Sequence, residues 1–81
     1  MGYDIQINPT AEASGIGFEL FQLIDRWATD FEMKYCYIER GAALLDALRA
    51  HAPRDEGERR VVLQLIEKLE SDDGVELLIG Y

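Results

Sequence analysis

Tyr3, Ile5 and Ile7 alternate with Asp4, Gln6 and Asn8 before Pro9, the period-two pattern of a strand with one buried face. It predicts a strand over residues 2–8. Residues 10–17 (TAEASGIG) are small and contain two glycines. They read as a connector in which Thr10 or Ser14 caps a helix that begins near Ile16. From Phe21 onward, Ile24, Ala28, Phe31, Tyr35, Ile38, Ala42 and Leu45 recur at steps of three and four with no intervening proline, which is a helical stripe. One helix over residues 16–51 would be about 54 Å long, roughly three times the usual length. The expectation is therefore two packed helices, with a break near residues 32–34 or near Gly41. A rival reading takes MKYCYIE, residues 33–39, as a strand, because Tyr, Cys and Ile favour extended backbone.

Pro53 closes this region, and Asp55 followed by Glu58 matches the reciprocal capping pattern that opens a helix. That helix is predicted over residues 56–70, with Val62, Leu65, Ile66 and Leu69 on one face and Glu56 and Arg60 as an i,i+4 pair outside it. SDDG, residues 71–74, is a turn, after which Val75, Leu77 and Ile79 alternate as a second strand. The predicted fold class is α+β and mostly helical: a strand, two or three packed helices, then a strand. A two-stranded sheet is marginal alone, so the terminal strands are expected to pair within the chain or across a dimer. Residues 1–81 read as one small acidic domain.

Composition adds the charge. Sixteen acidic and eight basic residues give a net charge of −8, which disfavours direct binding to nucleic acid or to anionic lipid, where clustered Lys and Arg are needed. A basic protein surface is the complementary partner. Residues 1–32 carry six acids and one base, residues 33–60 five and six, and residues 61–81 five and one. Pairing of the terminal strands would then gather Asp4, Glu70, Asp72, Asp73 and Glu76 into an acidic partner-binding patch. Trp27, Tyr35 and Tyr37 cannot all lie on the stripe that includes Phe31. They form, with Arg40, a candidate aromatic and basic surface for a partner or a second copy. The lone Cys36 cannot make an intramolecular disulfide, no apolar run approaches a membrane span, and no signal peptide precedes the first strand, so cytoplasm is the expected location.

Catalytic and metal-binding chemistry finds little support. Zinc-type sites and activated nucleophiles need several Cys or His side chains, or one held against a base, and this chain has one of each, Cys36 and His51. Both read as structural. Aligning Gly74 in ESDDGVE with the glycine of a calcium loop places Leu69 and Gly80 where carboxylates are required, so the EF-hand pattern fails. Gly15 and Gly17 lack the third glycine and the lysine of a phosphate-cradling loop, and Glu12 and Glu19 flank them. No catalytic residue, metal or cofactor is expected.

The leading expectation is a non-catalytic protein-binding module, such as an inhibitor, adaptor or immunity-type protein, that sets an acidic surface against a basic partner. Three alternatives compete with it. One is a nucleic-acid mimic whose carboxylates block a DNA- or RNA-binding protein. Another is a small ligand-binding or enzymatic domain formed at a homodimer interface. The last is a structural subunit whose sheet a partner strand completes.

Overall fold

The computed structural model describes residues 3–7, 14–32 and 35–80, with the backbone alone at 30–32. The elements run β1 (Tyr3–Ile7), β2 (Ser14–Ile16), α1 (Phe18–Trp27), β3 (Ala28–Glu32), β4 (Tyr35–Glu39), α2 (Ala42–Ala50), α3 (Glu56–Ser71) and β5 (Gly74–Gly80). The strands form one antiparallel sheet in the order β2-β1-β5-β4-β3. The α+β class is therefore correct, and the terminal strands do pair within the chain, Ile5 opposite Ile79 and Ile7 opposite Leu77.

The middle of the chain is corrected. The two helices expected over residues 16–51 do form, as α1 and α2, and share the core, but a β-hairpin separates them, so the stripe from Ala28 to Ile38 is not helical. α1 stops at Trp27, whose successor Ala28 turns to extended backbone while its N–H still donates to the Ile24 carbonyl. The chain then forms the β3–β4 hairpin before α2 begins, so the strand reading of residues 33–39 is the one that holds over Tyr35–Glu39. The physical reason is that YCYI has no polar position to set a period. Sheet pairing decides instead: β4 fills the place between β5 and β3, where aromatic and β-branched residues pack well. Helix therefore accounts for less of the chain than expected, and three strands are added to the two anticipated. Ser14 lies in β2 and does not cap α1, whose N-cap is Gly17. Thr10, Pro9 and Asn8 fall outside the described residues, as does the phenyl ring of Phe31.

Burial follows the pleat. Ile5 and Ile7 of β1, Ile16 of β2, Cys36 and Ile38 of β4, and Val75, Leu77 and Ile79 of β5 all point to one face and are buried. Against them lie Leu20 and Ile24 of α1, Leu44 and Leu48 of α2, and Val61, Val62, Leu65 and Leu69 of α3, in one continuous core. Each helical set repeats at three or four residues, so each helix offers a single apolar stripe to the sheet. α3 spans Glu56–Ser71, within one residue of expectation, and Asp55 caps it by accepting the Glu58 N–H at 2.9 Å.

One glycine is required by close approach. The Tyr37 ring lies along β5 over Gly74, where a Cβ would overlap the phenol and sit 2.7 Å from the Ile38 carbonyl oxygen. Gly74→Ala is expected to cost about 1–3 kcal/mol, the usual penalty of overpacking. Urea unfolding followed by Trp27 fluorescence measures it, and an unchanged midpoint contradicts the packing described.

Candidate functional site

Two places concentrate polar or exposed groups: a buried carboxylate beneath the helices and the uncovered face of the sheet. Glu58 is the only charged residue buried among those described, at 1% exposure. Its Oε1 accepts from the His51 Nε2 at 2.7 Å and the Arg54 N–H at 3.2 Å. Its Oε2 accepts from the Gly17 N–H at 2.7 Å and lies 3.8 Å from the Arg54 guanidinium. The expected capping box is thus half right, because the carboxylate does not return to Asp55 but reaches across to α1 and the α2–α3 connection.

Burial by itself raises the Glu58 pKa, but the hydrogen bonds from His51, Gly17 and Arg54, with the electrostatic pull of the His51 ring, outweigh it and hold the carboxyl below its ordinary range. An ionised carboxylate only accepts, so the His51 Nε2 carries the proton it shares. Gly17 therefore does hold an anion at a helix start, as such amides do, but the anion is the protein's own. With every oxygen engaged and no buried side-chain polar atom unpaired among the described residues, the cluster ties three segments together and offers no open coordination position.

Cys36 is buried, and burial, with Asp25 adding to it, pushes its thiol pKa up. The thiol stays protonated and unreactive at neutral pH. Among the described residues no three His, Cys, Asp or Glu side chains converge as a metal site, and no helix is long and apolar enough to cross a membrane.

No helix among the described residues lies on the sheet's other face. Tyr35 and Tyr37 of β4, Leu78 and Glu76 of β5, and Asp4 and Gln6 of β1 point there, because each alternates with a core residue. Leu78 stands between Gln6 and Tyr35, and Glu76 beside Tyr37. Tyr35 is 48% exposed, while Tyr37 and Leu78 are half-buried. None of the five strands contains Lys or Arg, whereas Asp4, Asp30, Glu32, Glu39 and Glu76 lie on them. The described basic residues are confined to helices and connections.

The proposed acidic patch is accordingly divided. Asp4 and Glu76 share the open face. Asp72 and Asp73 lie at the α3–β5 turn, where Asp73 meets Arg40 at 3.3 Å, and Glu70 belongs to the helical layer, 3.1 Å from Arg49. Tyr35 and Tyr37 come together as neighbours on one strand face; Trp27 closes α1, and Arg40 follows β4 at the sheet's end. Leu78 was not singled out by the sequence, although its place between Leu77 and Ile79 marks it as the outward member of the last strand. A second aromatic group, Tyr3 stacked on Phe21 with centroids 4.0 Å apart and Phe18 beside them, covers the β1–α1 corner.

The Glu58 cluster makes a pH-dependent prediction. Because its folded pKa is depressed, the stability it contributes is complete above its ordinary value of 4.5 and is lost as pH falls from there through the folded value. Glu58→Gln is expected to lose about 3 kcal/mol at neutral pH. Its deficit against the parent should shrink on acidification below that value, as chemical unfolding at a series of pH values will show; a deficit independent of pH contradicts the assignment. Set beside known proteins, the chain matches no family model, no curated protein and no solved structure.

Proposed function

We propose that the chain is a non-catalytic protein-binding module that docks the open face of its sheet on a basic partner. The observation that carries this reading is the pairing of an uncovered, partly apolar sheet face with strands devoid of Lys and Arg. Tyr35, Tyr37 and Leu78 supply the apolar and aromatic centre, and Asp4, Glu76 and Glu39 supply charge around it, the usual division between interface core and rim. A second copy is a poorer occupant than a basic protein, because stacking two such faces brings like charges together.

The Glu58 cluster supports the same reading indirectly. Among the described residues it uses the one buried carboxylate, with the histidine, to join α1, α2 and α3 behind the sheet.

Single substitutions test the face. Proteins captured from the native host should be retained by the parent at low salt, be released as salt rises, and be lost by about tenfold with Tyr35→Ala or Glu76→Lys. Asp46→Lys makes the same charge change on the helical layer, where Asp46 is exposed, and should leave capture unchanged. Quantitative mass spectrometry of the captured set reads the result. A set indifferent to both sheet-face variants, or equally reduced by Asp46→Lys, overturns the proposal.

A further inference from the structure

Between α2 and α3 and the connection that joins them lies an open groove of about 260 Å³. Its floor and walls are Leu48 of α2 and Val62, Leu63 and Ile66 of α3, with Arg49 and Arg59 at its sides and His51 at one end. On α3, Arg59, Val62, Leu63 and Ile66 stand at i, i+3, i+4 and i+7, a stripe that overlaps the core-facing one at Val62. Leu63 is 56% exposed, although it is a large aliphatic side chain. In a chain of net charge −8, none of the groove's lining residues is a carboxylate.

We propose that this groove binds a small apolar monocarboxylate. The volume lies just below the usual range for small-molecule sites, which suits a compact aliphatic or aromatic acid. Leu63 and Ile66 would receive the apolar body, with the nearly buried Leu48 and Val62 beneath them. Arg59 forms no salt bridge or side-chain hydrogen bond among the described residues and would pair with the carboxylate, since guanidinium and carboxylate match in geometry as well as charge. Arg49 is already shared with Glu70 at 3.1 Å, both side chains being about half exposed. It therefore adds positive potential rather than a free donor pair. The alcohol or amide with the same body would keep the apolar contacts and lose the charged one. A second carboxylate directed at Arg49 would compete with Glu70, which already pairs with it. The site and its ligand are independent of the sheet face and of any partner there.

The experiment is a nitrogen–proton correlation titration of the full chain with 4-phenylbutyrate, compared with 4-phenylbutanol. Saturating shifts are expected at the amides of Val62, Leu63 and Ile66, with a Kd of about 1 mM or tighter. The alcohol should bind about tenfold more weakly. Arg59→Gln replaces an exposed side chain and should weaken phenylbutyrate about tenfold, while Arg60→Gln, the neighbouring arginine outside the groove, should not. Shifts that do not saturate, equal binding of acid and alcohol, or equal weakening by Arg59→Gln and Arg60→Gln would each overturn the proposal.

Discussion

The structure depends on a five-stranded antiparallel sheet being covered on one face only. Three helical stripes and the inward residues of β1, β2, β4 and β5 complete a single core, and nothing of the chain's described part lies across the other side. An antiparallel sheet tolerates this when its outer residues alternate with the buried ones. Here the alternation is strict from Val75 to Ile79, yet the outer positions are not uniformly polar. Tyr35, Tyr37 and Leu78 occupy them, and Tyr37 lies over Gly74. The same arrangement that makes the core leaves an aromatic surface outside it.

Covering one face requires that the helical layer be held in register with itself. The Glu58 carboxylate does this by taking its partners from α1, from the end of α2 and from the loop before α3. A buried charge is tolerated where both oxygens are satisfied and is costly where they are not, so the cluster specifies one arrangement of the three helices. The strands carry acids alone, while Arg26, Arg49, Arg59, Arg60 and Lys68 lie on the helices. The helices carry acids as well, Glu19, Asp25, Asp46, Glu56, Glu58, Glu67 and Glu70, so it is the strand layer that bears charge of a single sign.

Legibility in the sequence followed the clarity of the period. β1 and β5 alternate cleanly, and α3 has both a capping aspartate and an apolar stripe, so these three elements could be read directly, while the sequence left open whether β1 and β5 pair within the chain or across a dimer. Residues 28–39 could not, because YCYI is apolar at every position and satisfies a step of two as well as steps of three and four. Strand identity there comes from the vacant edge that β5 presents, which is a tertiary fact. The acidic bias of the termini was visible and was expected on the paired terminal strands, whereas Glu39 of β4 was not singled out, since β4 lies in the stretch 33–60 whose overall charge is nearly balanced. Glu58 stood out only as a capping residue; its contacts with Gly17 and His51 span 41 and 7 positions, and no local pattern encodes the first. The outward aromatics were recognised in Tyr35 and Tyr37, whereas Leu78 needed the sheet to show which side it takes.

The central claim, a sheet face uncovered in the free protein, is tested most directly by solvent paramagnetic relaxation with a neutral gadolinium chelate, alongside the sedimentation mass. The account predicts a monomer in which the Tyr35 ring and Leu78 methyl signals broaden strongly while those of Leu77 and Ile79, their neighbours on the opposite face, do not. Protection of Tyr35 and Leu78 equal to that of Leu77, whether in a monomer or in a dimer that hides them, would contradict it.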